Sequence, residues 1–205
     1  MNYKIKDKTK RNKESVGNMA YYKKLEGDKI YLSPMCIEDA DKYVEWFCDF
    51  KTTDGIRKSG NVMTIEAERA WIQKTLENCD LQFAIIDKET DKLIGNCGFP
   101  KIARQDRTAE VGIFIGSEEN RGKGYGAEAL KLLLDYGFNY LNLHSIMLAV
   151  MSFNERAVAC YKKVGFKEAG RLRENYFLNG KYYDVIFMDM LENEFEGEYI
   201  RNKNI

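Results

Sequence analysis

The chain has 205 residues, 44% of them hydrophobic, with 32 basic residues balanced by 32 acidic ones for a formal net charge of zero. That length supports one substantial core with no Pro- or Gly-rich linker to divide it, and the even charge gives no global pull toward nucleic acid. No apolar run reaches membrane-spanning length, and Cys36, Cys48, Cys79, Cys97 and Cys160 form no C-x-x-C pair, so they read as reduced thiols of a soluble, unexported, cytoplasmic chain.

Residues 1–20 carry Lys4, Lys6, Lys8, Lys10, Arg11 and Lys13 with too few apolar residues to pack, which reads as a mobile basic arm. Lys29 to Leu32 reads as a first strand. Ser33-Pro34 and Glu38-Asp39 then announce a helix on which Ala40, Tyr43, Val44 and Phe47 recur at helical spacing. Acids exceed cations over residues 26–54. Thr64 to Leu76 is a second helix, with Ile65, Ala70, Trp71 and Leu76 as its expected apolar face.

Gln82 to Asp87, Leu93 to Ile102 and Thr108 to Gly116 are extended and joined by short turns, which predicts an antiparallel meander. A glycine-rich turn leads to a helix over Ala127 to Leu141, interrupted by Gly137. On that helix Glu128 and Asp135 are expected to face solvent. Ser145 to Met151 reads as a buried strand, and Asn154 to Val164 as a short helix closed by Gly165. Lys167 to Phe177 and Lys181 to Leu191 are strands joined through Asn179-Gly180, a tight-hairpin dipeptide. The prediction is an α/β fold with a single mixed, largely antiparallel sheet of about seven strands, flanked on both faces by about four helices. One domain over residues 21–193 and a charged tail over 194–205 complete the organisation.

The turn Arg121-Gly122-Lys123-Gly124-Tyr125-Gly126-Ala127 has the chemistry of an anion cradle, because glycines let backbone N–H groups converge at a helix N-terminus. It is not a Walker A loop, since Gly124 stands where the magnesium-binding hydroxyl is needed. Gly124-x-Gly126-x-x-Ala129 satisfies a dinucleotide pattern, but Ser117 to Lys123 separate it from its strand, and Met151 and Ser152 stand where the ribose-binding acid belongs.

A third reading spans both ends of this region. Arg121-x-x-Gly124-x-Gly126 resembles the pyrophosphate loop of the GNAT superfamily of acetyl-CoA-dependent N-acetyltransferases. Asn154-x-x-Ala157-x-x-x-Tyr161-x-x-x-Gly165-Phe166 is similar to its second signature. Asn142-Leu143-His144 and the Asn179-Gly180 hairpin point to the branch that holds spermidine and ribosomal-protein N-terminal acetyltransferases.

The resemblance implies acetyl-CoA as cofactor and an amine as acceptor; the single histidine, His144, leaves little room for a metal, composition gives no reason to expect nucleic acid or a membrane, and a homo-oligomer is left open. It places the pyrophosphate on Arg121, Gly122, Lys123, Gly124, Tyr125, Gly126 and Ala127. The thioester arm lies along Ile113, Phe114 and Ile115, with Asn154 and Lys163 as further cofactor contacts. Glu110 is the implied base for the amine, directly or through water, and Tyr161 the implied acid for the thiolate. Read without the resemblance, Glu110 is a solvated strand-end glutamate, Tyr161 a core tyrosine, Asn154 an N-cap and Lys163 an exposed lysine. A Ser152/Glu155 capping box would free Asn154. Cys160 beside Tyr161 has no histidine to activate it, which favours direct transfer.

The acidic stretch 26–54 borders the cleft in which the family takes its acceptor, so a small cationic amine such as a polyamine is expected there. A protein N-terminal α-amine is the alternative acceptor. A non-catalytic acyl-CoA-sensing module is the alternative from another class, and nucleic-acid binding by the basic arm rests on composition alone.

Overall fold

A computed structural model describes residues 21–197 and 199. The basic arm and most of the charged tail lie outside these residues. Eight strands form one sheet among the described residues: β1 (Leu25–Glu26), β2 (Ile30–Pro34), β3 (Gln82–Asp87), β4 (Lys92–Ala103), β5 (Thr108–Ile115), β6 (Ser145–Met151), β7 (Lys167–Leu178) and β8 (Lys181–Leu191). Five α-helices accompany them: α1 (Ala40–Phe47), α2 (Phe50–Thr53), α3 (Ile65–Glu77), α4 (Tyr125–Asn139) and α5 (Glu155–Val164). The strand order is β1-β2-β3-β4-β5-β6-β8-β7. Every neighbouring pair is antiparallel except β5 with β6.

The predicted mixed sheet is present with one strand and one helix more than expected. Both additions are short. β1 has two residues, and α2 is a single turn begun by Asp49, whose carboxylate accepts from Lys51 N at 3.0 Å. The hairpin between β7 and β8 turns where expected, with φ of +50° at Asn179 and +78° at Gly180, the sign needed at both centres of a type I′ turn.

Helices cover both faces. α4 and α5 pack over one core that contains Leu130, Leu133, Leu134, Ile146, Leu148 and Met188. Each such fully buried aliphatic side chain contributes about 1.5–3 kcal/mol. α1 and α3 cover the other face through Tyr43, Trp46, Phe47 and Ile72. β5 alternates between the two layers as its period of two demands: Phe114 packs with the α1 cluster, and Ile113 and Ile115 pack with the α4 cluster.

Two expectations about helix faces are corrected. The buried stripe of α3 is Glu68, Ile72 and Thr75, while Trp71 and Leu76 are exposed. On α4, Glu128 and Asp135 are buried. Glu128 Oε1 accepts from Lys29 N at 2.8 Å and Ile30 N at 3.1 Å, which pins the start of β2 to the helix. Asp135 accepts from Asn139 Nδ2 at 2.6 Å and Tyr199 N at 2.8 Å. Gly137 is no interruption either: a Cβ there would stand 2.7 Å from Ile146 Cδ1 and 3.1 Å from Phe99 Cζ, so its absence lets the helix lie close to the sheet.

Candidate active site

β5 ends at Ile115, a short 3₁₀ turn covers Glu118–Asn120, and the glycine turn follows. Gly122 and Gly124 take φ of +76° and +92°, values open to glycine at little cost. α4 then begins at Tyr125, two residues earlier than expected, so Tyr125, Gly126 and Ala127 form its first helical turn. The unpaired N–H groups of that turn and the positive end of the helix dipole suit an anion.

Arg121 serves this turn from beneath. Its Nε donates to Ile115 O at 3.2 Å, and Nη2 to Gly116 O at 3.1 Å and to Thr52 Oγ1 at 2.7 Å. Burial foremost, then the nearby Arg156, lowers its pKa from the ordinary guanidinium value. Most of its hydrogen-bonding capacity thus fixes the turn against β5 and α2. Exposed charge comes instead from Lys123, from Arg156 and from Lys29, whose Nζ donates to Lys123 O at 3.1 Å. Thr52, Lys29 and Arg156 were not visible as site residues in the sequence. Arg156 occupies an unspecified position of the second signature, and the other two reach the turn only through tertiary folding.

The strand carrying Ile113, Phe114 and Ile115 is open on one side. β5 and β6 pair in parallel only through Thr108↔Ser145, Ala109↔Ile146 and Glu110↔Met147. Beyond Glu110 the strands part, β6 continuing against β8 as far as Met151↔Val185. One backbone edge of β5 from Val111 to Ile115 therefore faces a gap, and a gap of this kind accepts an extended chain as an added strand.

Glu110 and Tyr161 belong to opposite layers of the sheet. Glu110 shares its face with Gly112 and Phe114, and its carboxylate accepts from the exposed Lys101 at 3.0 Å. Tyr161 packs against the α4-side core, edge-on to Phe166 with ring centroids 6.2 Å apart. Burial foremost, then the neighbouring Cys160, pushes its phenol well above the ordinary value, so the hydroxyl keeps its proton at neutral pH. Burial also raises the Cys160 thiol, against a smaller lowering by Lys163. A protonated thiol is a poor nucleophile.

Asn154 caps α5, its Oδ1 accepting from Ala157 N at 3.3 Å, while Nδ2 lies 3.2 Å from where a Cβ on Gly55 would stand. Ser152 makes no capping box, because its Oγ accepts from Asp184 N at 3.2 Å. Lys163 is exposed in the last turn of α5.

A cavity of about 440 Å³ lies between the segment after α2 and the β7–β8 hairpin, lined by Phe50, Asp54, Arg57, Ser59, Tyr176 and Phe177 among others. Phe153, next to Asn154, stacks on Tyr176 with centroids 6.0 Å apart, which joins this cavity to the β6–α5 turn. The acids of residues 26–54 are dispersed rather than gathered here. Glu26 pairs with Lys88 at 2.8 Å, Asp41 with Arg69 at 3.6 Å and Glu45 with Lys42 at 2.9 Å, and Asp39 is buried beneath Tyr21. Of these acids Asp54 alone lines the cavity. A second cavity, about 550 Å³, flanks the glycine turn on the β2–β3 side, where Lys29, Lys88 and Lys123 are offset by Asp28, Asp87 and Glu89.

Residues 29–167 match a family profile described as an acetyltransferase (GNAT) domain. The chain is 33% identical over 174 residues to an uncharacterized N-acetyltransferase, p20, of Bacillus licheniformis, covering 83% of this chain and 97% of the relative. It is 36% identical over 130 residues to a spermidine N(1)-acetyltransferase of Vibrio cholerae, covering 63% of this chain and 74% of the relative. Among solved structures, spermidine N-acetyltransferase from Vibrio cholerae in complex with CoA and spermine superimposes with a TM-score of 0.74 at 28% identity, covering 82% of this chain and 98% of that one. The profile match, the relatives and the parted strands beside a glycine turn agree: this chain belongs to the GNAT family of N-acetyltransferases.

Proposed function

We propose that the protein transfers an acetyl group from acetyl-CoA to a primary amine by direct attack in a ternary complex. The observation that carries this reading is the open edge of β5 ending at the glycine turn. Ile113, Phe114 and Ile115 offer backbone hydrogen bonds to the thioester arm and a donor for the carbonyl oxygen as it gains charge. The turn from Gly122 to Ala127, with Lys123 at its surface, receives the pyrophosphate. Arg121 holds that turn in shape, and Asn154 and Lys163 bound the same site from α5.

Glu110 takes the proton that an ammonium must lose before it can attack, directly or through a water. Attack forms the N–C bond and puts charge on the carbonyl oxygen. As this intermediate collapses the C–S bond breaks, Tyr161 gives its proton to the departing thiolate, and the second proton lost by the nitrogen restores the phenol through solvent. The amine ends as an amide and the cofactor as a free thiol. With Cys160 held protonated, no acyl-enzyme step is needed.

A small cationic amine as acceptor is supported by the relatives named as spermidine acetyltransferases. Thiol release with acetyl-CoA, measured across spermidine, aminoglycosides and N-terminal peptides, tests both enzyme and acceptor class. Release on peptides alone would move the acceptor to a protein α-amine. Acetyl-CoA binding by calorimetry with no release on any amine would mark a sensing module. A homo-oligomer is in keeping with a dodecameric spermidine N-acetyltransferase from Vibrio cholerae, a structural neighbour at a TM-score of 0.66 and 28% identity.

A further inference from the structure

The cavity between the segment after α2 and the β7–β8 hairpin has a charge pattern that bears on the acceptor. Arg57 stands at its wall with the guanidinium carbon 5.4 Å from the centroid of the Tyr176 ring. Its backbone is left-handed, φ +60° and ψ +32°, at the end of a 3₁₀ turn over Asp54–Ile56. Lys58 N donates to Thr53 O at 3.0 Å just beyond it, and Asn61 N to Lys58 O at 2.9 Å, so the turn that presents Arg57 is fixed by the backbone. No ion pair or hydrogen bond of the Arg57 side chain is present among the described residues. Its planar fork, resting on an aromatic face, is a receptor for carboxylate geometry.

The opposing acid is partly engaged. Asp54 Oδ1 accepts the Ser59 hydroxyl at 2.5 Å, and no other acid lines the cavity. The charged side chains in the lining are therefore one carboxylate and one guanidinium, set among Phe50, Tyr176 and Phe177. A polyamine brings several positive charges and needs a surplus of acid. This wall supplies none. An amine that carries a carboxylate on the same molecule sets its anion on Arg57 and leaves its amine free to reach Glu110, and a cavity of about 440 Å³ has the size of a small-molecule site.

We propose that Arg57 selects the acceptor, and that the preferred acceptor is a small amine bearing a carboxylate rather than a polyamine. This rests on the acetyltransferase reading, keeps a primary amine as the acceptor, and replaces the polyamine by a zwitterion. It assigns Arg57 to substrate binding and leaves proton transfer with Glu110 and Tyr161.

The test uses three acceptors of equal carbon count that differ only at the end remote from the amine. They are δ-aminovalerate (anionic), pentylamine (apolar) and cadaverine (cationic). Thiol release is followed at saturating acetyl-CoA. The full-length wild type is expected to rank them in that order by kcat/KM, with about tenfold or more between first and last, carried mainly by KM. Arg57→Glu should invert the ranking, and Arg57→Lys should retain the order with a smaller span. Arg57 is exposed, so these variants are expected to fold, and circular dichroism confirms it. An unchanged ranking in Arg57→Glu, cadaverine or spermidine as the best wild-type substrate, or release confined to peptides overturns the proposal while leaving an acetyltransferase. No thiol release from any amine overturns the acetyltransferase reading as well.

Discussion

Thr52 Oγ1 receives Arg121 Nη2 at 2.7 Å while its own hydroxyl donates to Gly116 O at 3.0 Å. With Arg121's own bonds to Ile115 O and Gly116 O, this buried hydroxyl ties α2, the end of β5 and the glycine turn into a single unit. Thr52→Val keeps the shape and removes both bonds, leaving one Arg121 N–H without its acceptor, a loss of about 1–1.5 kcal/mol. A less firmly held turn should weaken acetyl-CoA binding. The expected result is a rise in KM for acetyl-CoA of about tenfold with kcat little changed. An unaltered KM would mean that the turn is held without Thr52.

Tyr161→Phe removes a hydroxyl that makes no hydrogen bond to the described residues, so stability should stay within about 0.5 kcal/mol of wild type. If the hydroxyl protonates the thiolate, kcat falls about 100-fold. The pH profile offers a second readout. The phenol is raised above its ordinary value, so it remains a proton donor as pH climbs. In the wild type kcat/KM should rise as the amine deprotonates and show no alkaline decline up to pH ~10, the ordinary tyrosine value. A descending limb below that pH would remove Tyr161 as the acid.

Asp39 is 4% exposed, its Oδ2 has no hydrogen-bond partner among the described residues, and burial foremost raises its pKa. A carboxyl raised in the folded state binds more protons there than in the unfolded chain, so its contribution to stability is lost as pH rises through the folded-state pKa. At neutral pH the buried charge is a liability. Asn keeps an oxygen for the Tyr21 hydroxyl, which lies 2.7 Å from Asp39 Oδ1. Asp39→Asn should stabilise the fold at pH ~7 by about 1 kcal/mol, and the gain should shrink below pH ~4, where both forms are neutral. Urea titrations of both proteins at the two pH values decide it, and a gain that grows toward acid would contradict the assignment.

Gly137→Ala sets two effects against each other. Helix propensity favours Ala by about 1 kcal/mol. The new methyl would meet Ile146 Cδ1 at 2.7 Å, and Ile146 is wholly buried with little room to yield. Overpacking of this kind costs about 1–3 kcal/mol, so net destabilisation of about 1 kcal/mol is expected as a lower denaturation midpoint at unchanged slope.

These residues also show how far the fold was legible in the sequence. β6 has the predicted bounds, and the Asn179-Gly180 hairpin turns where its dipeptide requires, because an apolar run and a turn dipeptide are local signals. α3 was read with the wrong face. Its buried stripe is two polar residues around Ile72, and periodicity credits Trp71 and Leu76 instead. Glu128 looked solvated because nothing local marks the N–H groups of Lys29 and Ile30 as its partners. The site divides in the same way. The glycine turn and the Asn154/Tyr161 signature are contiguous and readable, whereas Thr52, Arg156 and Arg57 acquire their places only through tertiary packing.

The seam between β5 and β6 has a further consequence, for assembly. β3, β4 and β5 pair consecutively across short turns and β7 pairs with β8 across a hairpin, whereas β2 finds β3 only across the segment that carries α1, α2 and α3. The register of Thr108–Glu110 with Ser145–Met147 must likewise be found across the whole of α4. Pairings of long sequence separation require a large loss of chain entropy before any contact rewards them. The open edge of β5 is bounded by the one parallel ladder of the described sheet, so the cleft takes shape only once this long-range register has formed.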